Sequence, residues 1–501
     1  MPSEHRLHPV SILFAFLAQL RAFVLPGLLV LLGASSRGGA DWWQPWMMLL
    51  VVPNAIVAGL RYMSYRYRYD PHEIVIRSGL VFRKERHIPY ARIQNIDAVQ
   101  HVLHRLLNVV EVRVETGGGQ TAEATMSVLP MAAFQEMRTR VFAERDVQRS
   151  PEAQPVAPAT RELLRLNTRE LLLCGFLENR GAVMIAAGFG VVWELGLLDR
   201  LMGRVFGDQT SGRRVIRDLM RDMSDNVEVA FNRIALTFVA FIALLIVIRL
   251  MSMGWAVVRL YGFRLALTDD DLRTEYGLFT RVAATIPLRR IQTLSLYEGP
   301  LHRLARRVAI RAYTAGGRPS EGGRTERESL APILRQDAAP SLVAEVLDGT
   351  NLPAVAWQRV APGAFRREVK GWLIVALALS GVALWALRWW ALLVVPLLLV
   401  WAVVAARRTV DHLGWAVTGE AVLFRAGWLW RRVNIVRFAK IQTVTLAASP
   451  FDRRTAMARV RVDTAGATEA SRINIPYLSQ GVARELHAKL AREAAERQFK
   501  W

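Results

Sequence analysis

The chain has one cysteine, Cys174, in 501 residues, so no disulfide can form within it. Lysine is nearly as scarce: Lys84, Lys370, Lys440, Lys489 and Lys500 are five among 65 basic residues. An Arg-for-Lys bias of that size fits a GC-rich coding sequence better than selection for Arg-specific contacts. The nine histidines are scattered, and no Cys or carboxylate joins His101 and His104 at metal-ligand spacing. There is no P-loop, no Gly-x-Ser-x-Gly and no dinucleotide fingerprint. No aromatic-rich RNA-binding strand or recognition helix accompanies the basic residues. These absences exclude a disulfide scaffold and lead to the expectation of a non-enzymatic protein with no metal, no cofactor and no nucleic-acid partner.

What is present is apolar residue and positive charge together: 52% hydrophobic residues and a net charge of +22. The apolar residues are segregated into six runs near the ~20 residues that cross a bilayer as helix. They come in pairs, at 14–34 with 42–60, at 181–198 with 234–257, and at 372–387 with 389–405. Only helices and closed barrels satisfy their own backbone in lipid, so each pair reads as a transmembrane hairpin. Eight of the 65 basic residues fall in the three hairpin loops: Arg37, six between Arg200 and Arg221, and Arg388. The positive-inside rule therefore puts both termini and every large polar region in the cytoplasm. Arg21, Arg180, Arg233 and Arg249, at the edges of the spans, read as snorkelling interfacial anchors.

Each hairpin precedes a polar region, and the three regions repeat one pattern. Copy one has Gly79-Leu80, Arg92-Ile93-Gln94-Asn95-Ile96, His104-Arg105 and Val112-Arg113-Val114-Glu115-Thr116. Copy two has Gly277-Leu278, Arg290-Ile291-Gln292-Thr293-Leu294, His302-Arg303 and Ile310-Arg311-Ala312-Tyr313-Thr314. Copy three has Gly427-Trp428, Lys440-Ile441-Gln442-Thr443-Val444, Asp452-Arg453 and Val460-Arg461-Val462-Asp463-Thr464. Counted from the Gln, the Gly is 15 residues upstream, the Arg 11 downstream and the Thr 22 downstream in all three. A repeat of this precision means one structural unit used three times.

The unit reads as β. Runs such as 443–446 and 458–462 alternate apolar and polar residues, as half-buried antiparallel strands do. The Gly marks a turn, and a helical pattern closes each copy at 131–142, 339–347 and 480–496. The expected fold is membrane α plus β: six transmembrane helices in three hairpins, each followed by an antiparallel β domain with a C-terminal helix. The expected boundaries are 1–61 (hairpin one), 62–149 (domain one), 150–260 (linker and hairpin two), 261–349 (domain two), 350–407 (linker and hairpin three) and 408–501 (domain three). Residues 150–160 and 351–363 read as linkers, and 318–328 as a loop insertion. Three equivalent units invite a pseudo-threefold arrangement.

Two spans, a sheet with an Arg-Ile-Gln-Thr strand and a closing helix make the chain resemble bacterial membrane proteins with pleckstrin-homology-like (PH-like) domains, the YdbS/YdbT group. The triple arrangement is similar to the larger members. The resemblance implies PH-like domains at the inner face of the bacterial cell membrane. Copy three departs from it at Arg437, where copies one and two have Pro89 and Pro287.

Nine repeated basic residues are the candidate contacts for anionic lipid or a partner: Arg92, Arg105, Arg113, Arg290, Arg303, Arg311, Lys440, Arg453 and Arg461. Basic side chains near an anionic leaflet each gain about 1 kcal/mol. Two readings of them stand open, lipid contact or pairing with acids such as Asp97, Glu111 and Asp463. Gln94, Gln292 and Gln442 read as hydrogen-bonders of the fold. The expected function is a scaffold or binding module for anionic lipid or a partner, such as a smaller PH-like membrane protein of the same family. The alternative is a transporter or lipid-handling component with a path through the helix bundle. A role in envelope stress or antimicrobial-peptide tolerance fits either.

Overall fold

The computed structural model describes residues 5–14, 60, 62, 64–79, 83–90, 93–116, 124–149, 160–178, 227–268, 270–314, 329–347, 355–387, 391–465 and 471–497. Copy one comprises β1 (His5–Arg6), β2 (Arg66–Tyr69), β3 (Glu73–Ser78), β4 (Lys84–Pro89), β5 (Ile93–Gln100), α1 (Val102–Leu106), β6 (Val109–Thr116), β7 (Ala124–Pro130) and α2 (Met131–Arg149). Copy two follows with β8 (Thr160–Arg165), α3 (Thr168–Leu177), α4 (Val227–Leu260), β9 (Arg264–Thr268), β10 (Asp271–Tyr276), β11 (Arg281–Pro287), β12 (Ile291–Glu298), α5 (Pro300–Leu304), β13 (Arg307–Thr314), β14 (Ser329–Arg335) and α6 (Ala339–Val346). Copy three has α7 (Ala364–Leu387), α8 (Ala391–His412), β15 (Gly414–Val417), β16 (Ala421–Ala426), β17 (Arg431–Arg437), β18 (Ile441–Ala447), α9 (Pro450–Arg454), β19 (Met457–Thr464), β20 (Ile473–Ser479) and α10 (Gln480–Glu496).

Every landmark of the repeat has a backbone task. Gly79, Gly277 and Gly427 have φ of 95°, 115° and 88°, a region closed to side chains, and each turns one strand of the first sheet into the next. The strand register skips one residue between Ile93 and Asn95, between Ile291 and Thr293, and between Ile441 and Thr443. The repeated Gln is therefore a β-bulge, which bends the strand where it leaves one sheet for the next. After the short helix of each copy comes a left-handed residue, Asn108, Arg306 or Ala456, with φ of 51°, 51° and 50°. Ala456 is exposed and carries the ~1–2 kcal/mol strain of a Cβ in that conformation. Ala456→Gly is expected to raise the stability of the full chain by about 0.5–1 kcal/mol, since part of the relief is lost to the looser unfolded chain. A thermal midpoint in detergent that fails to rise would contradict this.

The sheets do not follow the repeat boundaries. One seven-stranded sheet runs β7-β6-β5-β11-β10-β9-β8, and a six-stranded sheet runs β14-β13-β12-β17-β16-β15. The second half of each domain thus continues into the first half of the next. Both junctions use one register. Ala98 faces Ala283 and Gln100 faces Arg281, while Leu296 faces Val433 and Glu298 faces Arg431. The repeat spacing (198 residues from Gln94 to Gln292, 150 from Gln292 to Gln442) maps each pair of the first junction onto the second. Among the described strands, pairing does not close the expected threefold arrangement into a ring. β4 ends the first sheet, β1-β2-β3-β4, and β18 ends the last, β18-β19-β20.

The first strand of each copy lies before its apolar segments in the sequence. β1 pairs with β2, β8 with β9, and Gln358 bridges to Trp415. Residues 150–160 and 351–363, expected as linkers, therefore lend Thr160 and Gln358 to the sheets. The loop at 318–328 lies outside the described residues, as do the expected spans 14–34, 42–60 and 181–198 apart from end residues 14 and 60. Six spans are thus not what the described residues contain. Three helices there are long and apolar enough to cross a membrane: Ile242–Leu260 within α4, Ala364–Trp385 in α7 and Ala391–His412 in α8. α7 and α8 meet through small residues, among them Ala376, Ala383, Ala402 and Ala406, with Trp372 edge-on to Trp401 at 5.0 Å. Their outward side chains, such as Ile374, Leu377, Leu392 and Leu397, are exposed and apolar. Arg249, expected as a snorkelling anchor, instead donates to the Phe176 carbonyl at the end of α3 (3.0 Å). Cys174 is buried on α3, with its thiol 3.9 Å from the Pro332 carbonyl.

Candidate functional site

Three of the nine repeated basic residues, Arg105, Arg303 and Lys440, make contacts across the junctions. Arg105, exposed on α1, donates from Nη1 to the Leu278 carbonyl of copy two (3.1 Å). Its neighbour His101 lies 2.9 Å, Nδ1 to Oγ1, from Thr280 in the same turn. One junction on, Arg303 of α5 donates from Nη2 to the Leu429 carbonyl of copy three (3.3 Å). In each case an Arg on the short helix clasps the Gly-initiated turn of the next copy. The same turn sets the strand that pairs with β5 or β12, so the Arg fixes the register from the side.

At the opposite end of the second junction Lys440 is buried and donates from Nζ to the Arg289 carbonyl. Burial pulls its ammonium down to about 8, helped by the neighbouring charges of Arg437 and Arg289. Arg437 donates to the Leu288 carbonyl (3.3 Å), which the proline at that position in the other copies cannot do. In the middle of the junction Ser295 donates to Asn434 Oδ1 at 2.8 Å, and both residues are fully buried. Asn434 donates in turn to the Ser471 and Arg472 carbonyls (3.4 Å each), tying the junction to domain three. The apolar pairs flanking this bond, Leu294 with Ile435 and Leu296 with Val433, carry most of its energy, at about 1.5–3 kcal/mol per buried side chain.

The remaining candidates lie elsewhere. Arg92 lies outside the described residues, and Arg113 sits on β6 opposite Asp97 and Thr125. Arg290 is half-buried in the single turn before β12. Arg311 stacks on Tyr297, its guanidinium 4.6 Å from the ring centre, and the Tyr297 hydroxyl lies 2.8 Å from that of Tyr313. Arg453 and Arg461 are exposed. Asp463, one of the acids offered as a partner, is engaged by Arg472 at 3.3 Å. Ser295, Asn434, Arg437 and His101 were not singled out as site residues. Only Arg437 carried a signal, as a departure from the repeat.

The family model for the bacterial PH domain matches residues 13–145, 227–349 and 363–494, one stretch per copy. The chain belongs to the bacterial PH domain family. It is similar to the transmembrane protein YdbT of Bacillus subtilis (strain 168), 21% identical over a 479-residue alignment that covers 91% of each chain. It is also similar to the transmembrane protein YdbS of the same strain, 28% identical over 91 residues, 18% of this chain and 54% of YdbS. No solved structure matches. Three bacterial PH domains, apolar helices of membrane length and likeness along the chain to YdbT make this a membrane-associated PH-domain protein. Its PH domains are joined strand to strand, and Arg105 and Arg303 are the clasps between them.

Proposed function

We propose that this chain is a non-enzymatic scaffold of the bacterial cell membrane that presents a row of three PH domains to a second membrane protein. Three hairpins anchor the row, with the domains and both termini on the cytoplasmic side. The hairpin reading is supported by the strands that bracket each membrane segment. Pairing β1 with β2, β8 with β9, and Gln358 with Trp415 brings the two ends of each segment to one side, which requires an even number of crossings. The scaffold reading is carried by one observation: Arg105 and Arg303, at the same position in two copies, grip a neighbouring PH domain. These two basic positions thus serve domain–domain recognition. The anionic-lipid reading retains one support, the exposure of Arg453 and Arg461 in the last copy.

Cross-linking in intact membranes followed by capture of the tagged full chain is expected to bring down one membrane protein in constant proportion. Recovery of the chain alone would overturn the scaffold reading. The lipid reading then predicts a higher thermal midpoint in anionic than in zwitterionic nanodiscs, lost with Arg453→Ala and Arg461→Ala.

A further inference from the structure

The two internal junctions each join a strand of the β5 type to a strand of the β11 type. β18 belongs to the first type and, among the described strands, pairs on one side alone, with β19. Its residues repeat those of β12, but their surroundings do not. Gln292 and Thr293 are 5% and 1% exposed in the junction, whereas Gln442 and Thr443 are exposed at the edge. Leu296 is 9% exposed against Val433, and its counterpart Leu446 is 39% exposed. The guanidinium of Arg453, the counterpart of the clasps Arg105 and Arg303, is exposed and has no hydrogen-bond or ion-pair partner among the described residues. One β18 carbonyl, that of Val444, is met by His487 of α10 at 3.2 Å. The last domain thus carries a junction surface that no other described strand covers.

Among the described strands β4 is the one of the complementary type that is left over, and it does not fit. Carried to β18, the shared register would set Leu446 against Glu85 and Val444 against His87. The two internal junctions have Ala283 and Val433 at the Glu85 position, and the second has Ile435 at the His87 position. Glu85 and His87 are moreover engaged inside their own sheet, Glu85 with Arg77 at 3.0 Å and His87 with Glu73 at 2.8 Å. Charges so placed blunt a sheet edge against pairing. A second copy of this chain therefore offers β18 the wrong strand.

We propose that the β18 edge, with Arg453 beside it, binds the first-sheet edge strand of a separate single-domain bacterial PH protein that carries small or branched apolar residues at the two inward positions. This rests on the scaffold reading and names its surface and its class of partner. The partner's strand adds to the β18-β19-β20 sheet by main-chain hydrogen bonds, and its Gly-initiated turn receives the Arg453 guanidinium.

The test is disulfide formation in membranes between the full chain carrying Leu446→Cys and a single-domain, YdbS-like protein of the same genome. That probe carries cysteines placed one at a time along the strand matching β11 and β17. Native Cys174 is buried and does not compete. Cross-linking is expected to peak at the probe position matching Val433 and to fall to background one residue away, because a one-residue slip turns the side chain to the other face. Arg453→Ala is expected to weaken capture of the probe roughly tenfold, the loss of one charged hydrogen bond. A cross-link from Leu446→Cys to Glu85→Cys of a second copy would overturn the proposal in favour of self-assembly. No cross-link to either would also overturn it, while capture of a partner through another surface would leave the scaffold reading standing.

Discussion

Replacing Gly427 by alanine is expected to cost more than about 3 kcal/mol and to leave little folded third domain. A Cβ there would lie 2.0 Å from the Trp430 carbonyl oxygen, which is backbone and cannot step aside, and φ is +88°. Gly277→Ala meets the same obstacle, with the Thr280 carbonyl oxygen at 1.9 Å and φ at +115°. The effect reaches beyond the turn, because these turns launch β11 and β17, the strands that cross to the preceding domain. Gly419→Ala is the control: nothing lies within 4 Å of its Cβ position, and its cost is small. Protease resistance and the thermal midpoint of the full chain in detergent measure both. A Gly427→Ala chain that melts with the parent would contradict the assignment of this glycine.

Asp452→Ala is expected to destabilise the third domain by about 3–5 kcal/mol, the cost of leaving the partners of a buried charge unpaired. Asp452 is 3% exposed and stands where the other copies have histidine. Its amide donates to Ser449 Oγ (3.1 Å) and its carboxylate accepts from the Ser449 amide (3.0 Å), a closed capping box on α9. The same carboxylate holds Arg459 at 3.2 Å and Arg367, at the foot of α7, at 3.5 Å. Burial pushes the carboxyl up, but the Ser449 donors and Arg459 outweigh it, so it titrates below the ordinary aspartate range. The sign follows from linkage: a depressed carboxyl contributes stability above the unfolded value of about 3.9 and loses it as pH falls through the folded one. Parent and Asp452→Asn melting curves are therefore expected to converge on the acid side and to separate above it. Equal midpoints at neutral pH would show that the carboxylate does not hold α7 to the domain.

The repeat was legible because its landmarks do backbone work that few residues can do. Gly79, Gly277 and Gly427 turn where a Cβ is forbidden, and Gln94, Gln292 and Gln442 sit at bulges, so spacing alone exposed them. The strand alternation likewise revealed sheets and closing helices. Strand partners were not legible, since the pattern of β12 requires an apolar neighbour on each side without naming β17. β1 and β8 are not legible because they lie far from their partners in sequence, on the other side of an apolar segment. The targets of Arg105 and Arg303 were hidden for another reason: they bind main-chain carbonyls, which every residue carries and no sequence pattern marks.

Sheet sharing also separates what is inherited from what folds. The heritable unit is the repeat, but each of the two larger sheets is the back half of one repeat and the front half of the next. A cut between copies one and two removes no strand from either repeat, yet it strips β5 from β11 and bares two edges at once. Bare edges of that kind are the usual seeds of aggregation. Duplication of such a unit succeeds only if the new copy arrives with mates for both of its open strands, which favours growth of the row from its end.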